Sequence, residues 1–184
     1  MKKINDYIKI KNKIPKDYCN KIIEFAENKK FSKHSWANQY GEKVHSNNEH
    51  ELEVLFTTPD CDLLNELNNI VKNFFKEYQD SFNLFQLKGH MPIRFNKYEV
   101  NTKMEPHVDH IHNLFDGKIK GIPILSMVGL LNDNFQDGQF VFNNEYEVNL
   151  KQGDLLIFPS NFIYQHQVNL ITKGTRYSFV TWAV

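Results

Sequence analysis

Apolar residues recur every three to four positions in two segments of the N-terminal half of the chain, which is the spacing of one helix face. The first segment follows Pro15, and its apolar face consists of Tyr18, Ile22, Phe25 and Ala26. The second has Thr58 as a predicted N-cap and Pro59 at the first helical position. Its apolar stripe consists of Leu63, Leu64, Leu67, Ile70, Val71, Phe74 and Phe75. The pattern predicts two amphipathic helices.

From about Leu84 onward the pattern changes to short runs rich in Val, Ile, Phe and Tyr, which favour strands. Turn sequences such as Asp137-Gly138 and Asn143-Asn144 separate these runs. Many short strands joined by tight turns are typical of a sandwich or jelly roll. The sequence therefore predicts an α+β fold, mainly β, with the two N-terminal helices packed on one sheet. We expect a single domain over residues 1–184, helical over about 1–80 and a β core over about 84–184.

Composition and charge narrow the function classes. Lys+Arg and Asp+Glu both total 22, so the formal net charge is zero, which argues against a dedicated nucleic-acid-binding protein. No apolar stretch reaches transmembrane length, so no membrane partner is expected. Cys19 and Cys61 lie far apart and follow no metal or redox spacing, which favours reduced thiols. The prediction is a cytoplasmic protein.

A first candidate metal-binding motif is His107-Val108-Asp109, in the segment "KMEPHVDHIH". Alternate residues of a strand share a face, so His107 and Asp109 are predicted to point together, with His110 and His112 on the other side. The motif is short, and an exposed polar turn is the alternative interpretation.

His166, in the later predicted strand "FIYQHQVN", is a third candidate ligand. Its same-face neighbours Tyr164 and Val168 also fit a histidine that is simply buried in the core. Two histidines and one aspartate on different strands suit non-haem Fe(II), because three protein ligands leave three octahedral positions open. Zinc accepts the same ligand types, so the residues alone leave the metal open.

The last predicted strand, "GTRYSFVTW", carries an arginine on an inward face. Alternation places Arg176, Ser178, Val180 and Trp182 on one side. A buried guanidinium is costly unless an anion meets it, and its planar fork matches a carboxylate. Ser178 is predicted to add a hydrogen bond. A structural ion pair within the protein is the alternative.

Together these motifs resemble the Fe(II)- and 2-oxoglutarate-dependent dioxygenases, in particular the prolyl 4-hydroxylase-like branch. The resemblance covers about Arg94 to Val184. In order along the chain, the motifs are Tyr98, His107-x-Asp109, Leu131-Asn132, Gly138 before Phe140-x-Phe142, "GDLLIFP", His166 and "GTRYS" with Trp182. The order of the motifs makes the joint match specific.

The resemblance implies a double-stranded β-helix, with His107, Asp109 and His166 as Fe(II) ligands. It implies that 2-oxoglutarate binds through its C5 carboxylate to Arg176, with hydrogen bonds from Tyr98 and Ser178. Trp182 is then expected to wall the substrate pocket. The implied reaction consumes O2, with ascorbate as a reductant, and hydroxylates a substrate C–H, most simply in a prolyl residue of a peptide or protein, releasing succinate and CO2. The carboxylate of Asp109 favours hydroxylation over halogenation.

The sequence departs from the branch at some positions. Many relatives have Gly-Gly where Asp137-Gly138 stands, and a Tyr near Gly129-Leu130; collagen-type relatives have Lys in place of Arg176. Three alternatives therefore stay open: a 2-oxoglutarate oxygenase acting on a free amino acid or small metabolite, a cupin-type metalloprotein that does not use 2-oxoglutarate, and a β-sandwich binding module. Residues 35–51 are a further candidate, for a segment covering the substrate.

Overall fold

The computed structural model describes residues 3–37, 43–44, 49–58, 60–83, 86–110 and 121–184. Two α-helices, α1 (Lys16–Glu27) and α2 (Asp62–Phe82), lie in the N-terminal half, as the apolar spacing predicted. The predicted N-cap of α2, Thr58, is wrong. The helix begins at Asp62, three residues after Pro59, and Cys61 is its N-cap. No helix in these described ranges is both long enough and apolar enough to cross a membrane.

Fifteen short strands occur in the described residues. They are β1 (Lys9–Asn12), β2 (Ser32–Lys33), β3 (Trp36–Ala37), β4 (Lys43–Val44), β5 (Glu53–Phe56), β6 (Arg94–Tyr98), β7 (Met104–His107), β8 (Leu125–Leu130), β9 (Gln136–Asp137), β10 (Phe140–Phe142), β11 (Tyr146–Val148), β12 (Asp154–Pro159), β13 (His166–Val168), β14 (Ile171–Lys173) and β15 (Arg176–Ala183). The larger sheet has the order β1-β12-β8-β15-β6-β5-β2, and the smaller sheet has the order β11-β10-β13-β7. Neighbouring strands in both sheets are antiparallel.

The two helices cover one face of the larger sheet. The buried face of α2 includes Leu67, Val71 and Phe74, and it packs in one cluster with Met127 of β8 and Phe179 of β15. Burying this apolar face is what holds the helices in place, since burial contributes about 25 cal/mol per Å² of apolar surface. The predicted arrangement of two helices on a sheet is confirmed.

A second apolar cluster fills the space between the two sheets. It joins Val128, Phe158 and Val180 of the larger sheet to Phe140 and Val168 of the smaller sheet. The predicted fold class, mainly β with facing antiparallel sheets, is confirmed. The side chains that β6, β8 and β15 direct away from the helices therefore point into the space where the candidate ligands lie.

The N-terminal part is less helical than predicted. Strands β1, β2 and β5 fall within residues 1–80 and extend the larger sheet at both edges. The sequences of β1 (KIKN) and β2 (SK) are mostly polar, and pairing with β12 and with β5 makes them strands. The segment before His166 also differs, because residues 162–164 form a 3-10 helix and β13 begins at His166 itself. His45, His112 and part of the segment 35–51 lie outside the described residues.

Candidate metal centre

His107 and His166 face each other across two neighbouring strands. In the pairing of β7 with β13 they are direct partners, and their ring centroids lie 4.3 Å apart. Each Nδ1 lies within hydrogen-bond distance of the backbone carbonyl two residues earlier, that of Glu105 at 2.7 Å and that of Tyr164 at 3.0 Å. A protonated Nδ1 donates to the carbonyl and leaves the lone pair of Nε2 directed inward, which is how a neutral imidazole binds a metal.

Asp109 reaches the same point from beyond the end of a strand. The prediction that a continuous strand would carry His107 and Asp109 on one face is wrong, because β7 ends at His107 and Asp109 lies in the bend that follows. The backbone N–H of His110 donates to Ser160 O at 3.1 Å and anchors this bend. The Ser126 hydroxyl then donates to Asp109 Oδ2 at 2.6 Å, which fixes the carboxylate.

The three side chains converge closely enough to share one ion. Their candidate ligand atoms all lie within 4.8 Å of one another. His107 Nε2 lies 3.5 Å from Asp109 Oδ1, and His166 Nε2 lies 3.6 Å from Asp109 Oδ2. Two imidazoles and one carboxylate suit Fe(II) and leave positions open on an octahedral ion. The residues therefore fit the metal that the sequence resemblance implies.

Burial and the neighbouring side chains shift the pKa values of Asp109 and His166. Burial alone would raise the pKa of Asp109, but the neighbouring imidazoles of His166 and His107 and the Ser126 hydroxyl hold it well below its usual value. Burial, with His107 nearby, lowers the pKa of His166 to about 4. The carboxylate is thus ionised and the His166 imidazole neutral near pH 7, which are the protonation states that bind a metal cation.

Arg176 lies deeper in the same cavity, at the start of β15. The residue is 2% exposed, and its Nη1 donates to Ser178 Oγ at 2.8 Å. In the pairing of β15 with β6, Arg176 is opposite Tyr98, and the Arg176 Cζ lies 5.1 Å from the centre of the Tyr98 ring. No carboxylate within the described part of the chain pairs with Arg176. Because an unpaired buried charge is costly, the residue is suited to an incoming anion.

The cavity is lined by side chains from both sheets. They are Arg94, Asn96, Tyr98, Met104, His107, Asp109, Val128, Phe140, His166, Val168, Arg176, Ser178 and Val180. Trp182 is the one predicted site residue that is not part of this lining; it contacts a lining residue, with its ring centre 5.1 Å from the Arg94 Cζ. Arg94 and Asn96 were missed, although the alternation that relates them to Tyr98 on β6 is the signal that finds them.

A polar cluster of the buried His34 and Glu51 and the half-buried Trp36 adjoins the metal centre. His34 Nδ1 lies 2.8 Å from Glu51 Oε1, and Trp36 Nε1 donates to Glu51 Oε2 at 3.0 Å. The Trp36 ring contacts the His107 ring edge-on at 5.5 Å. Nothing in the local sequence indicated this cluster, because its members lie up to 17 residues apart on irregular segments.

A family model described as the 2OG-Fe(II) oxygenase superfamily matches residues 93–184, half of the chain and all of the strands that build the cavity from β6 onward. The chain belongs to this superfamily. The family resemblance predicted from the motifs is confirmed. Fe(II) and 2-oxoglutarate are the cofactors in the family's name, with O2 as the oxidant, and they agree with the donor set of His107, Asp109 and His166.

Similar proteins agree with this assignment. A PKHD-type hydroxylase of Acinetobacter baumannii is 33% identical over 98 residues, which span 50% of this chain and 42% of that protein. A PKHD-type hydroxylase of Stenotrophomonas maltophilia is 32% identical over 98 residues, which span 50% of this chain and 43% of that protein. The match thus spans less than half the length of these relatives.

Solved structures share the fold over nearly the whole chain. A Trichoplax adhaerens prolyl hydroxylase, solved with a hypoxia inducible factor peptide fragment, has a TM-score of 0.75 at 15% identity and covers 96% of this chain and 83% of that chain. A Pseudomonas putida prolyl-4-hydroxylase has a TM-score of 0.70 at 16% identity and covers 96% and 91%. The predicted jelly-roll architecture of the superfamily is therefore confirmed for this chain.

Proposed function

We propose that this chain is an Fe(II)- and 2-oxoglutarate-dependent dioxygenase that hydroxylates a substrate C–H, with a prolyl residue of a peptide or protein as the first candidate. The observation that carries the proposal is the convergence of His107, Asp109 and His166 beside a cavity that also contains the buried Arg176. The names of similar proteins support proline as the candidate residue. Balanced, the reaction converts 2-oxoglutarate, O2 and R–H into succinate, CO2 and R–OH.

His107, Asp109 and His166 would hold Fe(II) through the two Nε2 atoms and the carboxylate. The backbone carbonyls of Glu105 and Tyr164 keep the imidazoles in the tautomer that presents Nε2. When bound, Fe(II) supplies the O2 activation that couples decarboxylation of 2-oxoglutarate to hydroxylation of the substrate. The protein residues fix the positions of the metal ligands and form a cavity that excludes water.

Arg176 would receive the C5 carboxylate of 2-oxoglutarate. Its planar fork forms parallel charge-assisted hydrogen bonds with a carboxylate, and Ser178 and Tyr98 flank the fork. The apolar side chains Val128 and Val180 line the same cavity and exclude water, which strengthens the ion pair. Trp182 is proposed to support the substrate side of the cavity through Arg94.

The proposal is tested by 2-oxoglutarate-dependent succinate formation with Fe(II) and ascorbate. Wild-type protein is screened against proline-containing peptides and free amino acids, and the Asp109→Ala and His166→Ala variants are expected to form no succinate. His110→Ala is the matched control, because this neighbouring side chain is exposed and outside the donor group. Normal turnover in either ligand variant would remove the assignment.

A free amino acid or another small acid is the second candidate substrate. The specific observation in its favour is Arg94, a further cationic side chain in the cavity lining. A single domain over residues 1–184 and a cytoplasmic location remain predictions from the sequence, and the zero net charge supports a substrate other than nucleic acid.

A further inference from the structure

A second guanidinium, that of Arg94, faces the cavity near the metal-ligand group. Arg94 lies on β6, and with Asn96 and Tyr98 it lines the same cavity as His107 and Asp109. The proposed function uses one arginine, Arg176, for 2-oxoglutarate. Arg94 is therefore a charged residue of the site that the binding of 2-oxoglutarate leaves without an anionic partner.

The side chain of Arg94 is held in one orientation. Its Nε donates to Asn96 Oδ1 at 3.1 Å, and its Cζ lies 5.1 Å from the centre of the Trp182 ring. These two contacts use one N–H and one face of the guanidinium. The terminal Nη groups, which form the fork that binds planar anions, donate to no residue in the described part of the chain.

The nearby carboxylates are already engaged. Glu51 accepts from Trp36 and pairs with His34, and Asp109 accepts from Ser126 and belongs to the ligand group. Neither lies within 4.0 Å of the Arg94 guanidinium, nor does any other carboxylate of the described ranges. A half-buried guanidinium oriented by its neighbours, with a free fork, is suited to bind an anion.

The sheet register separates the two arginines. Arg176 pairs with Tyr98, whereas Arg94 pairs with Val180, four residues further along the strand. That separation corresponds to about 13 Å along an extended strand. In the pairing of β15 with β8, Trp182 is opposite Ser126, whose hydroxyl contacts Asp109. Arg94 therefore lies toward the end of the cavity that holds the metal ligands, and Arg176 lies toward the opposite end.

We propose that Arg94 binds a carboxylate of the substrate that is hydroxylated. The inference rests on the proposed function, in which Arg176 is assigned to 2-oxoglutarate. It implies a substrate class: molecules whose acid group lies close to the reacting C–H, such as an amino acid with a free α-carboxylate or a peptide residue at a free C-terminus. A neutral amide in the same place would leave the charge of Arg94 without a counterion.

Matched acids and amides test this inference. Protein loaded with Mn(II), a redox-silent substitute for Fe(II), and saturated with 2-oxoglutarate is titrated calorimetrically with N-acetyl-L-proline and N-acetyl-L-prolinamide, and with the same pair for other amino acids. At least one acid is expected to bind about tenfold or more tightly than its amide. Arg94→Gln is expected to reduce the affinity for that acid about 10- to 100-fold, whereas Arg94→Lys retains part of it because the charge remains.

Lys97→Gln is the matched control. It removes one positive charge from the same strand on the face away from the cavity, where Lys97 pairs with Glu27 of α1, so the preference for acids should persist. Thermal unfolding of each variant checks that the fold is retained. The inference is overturned if no acid binds more tightly than its amide, or if Arg94→Gln weakens acid and amide equally.

The cosubstrate provides a separate outcome. If Arg94→Gln lowers the affinity for 2-oxoglutarate as much as Arg176→Gln does, Arg94 serves the cosubstrate and the inference is wrong. If the wild-type protein does not bind 2-oxoglutarate at all, the proposed function fails and this inference fails with it. Binding of 2-oxoglutarate without a preference for acids overturns the inference alone.

Discussion

The Ser126 hydroxyl donates a hydrogen bond of 2.6 Å to Oδ2 of Asp109. Ser126 lies on β8 of the larger sheet, whereas Asp109 follows β7 of the smaller sheet, so this bond ties the candidate metal ligand to the opposite side of the cavity. A second hydroxyl, that of Ser160, lies 2.8 Å from Ser126 Oγ and continues the chain of hydrogen bonds. Both serines are buried.

We expect Ser126→Ala to weaken metal binding. Removing the donor leaves the carboxylate of Asp109 free to rotate and takes away one of the interactions that keep it ionised. Loss of such a supporting hydrogen bond typically reduces metal affinity about 10- to 100-fold. Titration of the protein with Mn(II), followed by electron paramagnetic resonance of the free ion, measures the change.

Ser160→Ala is the control for this prediction. It removes the neighbouring hydroxyl but keeps the direct bond from Ser126 to Asp109, so a smaller loss of affinity is expected. Equal affinities of the wild-type and Ser126→Ala proteins would show that the hydrogen bond does not orient the ligand.

Arg176→Ala should weaken binding of 2-oxoglutarate much more than binding of the metal. The guanidinium is buried, and removing one partner of a buried ion pair costs about 3–5 kcal/mol, a hundredfold or more in affinity. Calorimetric titration of the Mn(II)-loaded protein with 2-oxoglutarate measures this loss. Ser178→Ala, which removes the neutral partner of Arg176, should have a smaller effect. An unchanged affinity in Arg176→Ala would contradict the role given to this residue.

Strand alternation explains why much of the site could be predicted from the sequence. Arg176, Ser178 and Val180 were expected on one face, and all three line the cavity. Successive side chains of a strand point to opposite faces of the sheet, so the residues that share a face can be predicted once the strand is recognised. The order of the family motifs along the chain supplied the remaining information. It grouped His166 with His107 and Asp109 as metal ligands, which the strand pattern alone could not do.

The rest of the site depends on contacts between distant segments. Asp109 reaches the centre from a bend held by Ser160, and Ser126 approaches from another sheet; no local pattern encodes either contact. The first residue of α2 was predicted at Pro59 and lies at Asp62, because capping preferences are weak compared with tertiary packing. The polar edge strand β1 is likewise a product of its pairing with β12.

Gly129→Ala should destabilise the fold. Gly129 lies in β8 opposite Phe179 of β15, and an added Cβ would overlap the Phe179 ring in the core beneath the helices. Forcing an extra methyl group into a packed core costs about 1–3 kcal/mol. Urea unfolding followed by circular dichroism measures the decrease in the free energy of unfolding.

Shortening the opposing side chain provides a control for the Gly129 prediction. Phe179→Leu alone should also destabilise the protein because it leaves a cavity. In the double variant the new methyl group fills part of that space, so the combined loss should be smaller than the sum of the two single losses. Strictly additive losses would mean that the two positions do not compete for the same volume.

His34 should make the stability of the protein depend on pH in acid solution. Burial, together with the nearby Arg94 guanidinium, lowers the pKa of His34 to about 4 in the folded protein, against about 6.5 for an unfolded histidine. As the pH falls through this interval, the unfolded chain binds a proton that the folded chain does not, so the free energy of unfolding decreases. Urea unfolding from about pH 7 to pH 4 should therefore show a less steep pH dependence for His34→Gln than for wild type. Gln86→Ala, at an exposed residue without a titratable side chain, is the control and should keep the wild-type slope. If His34→Gln keeps the wild-type slope as well, His34 takes up its proton equally in the folded and unfolded chains, and its burial does not set the acid sensitivity.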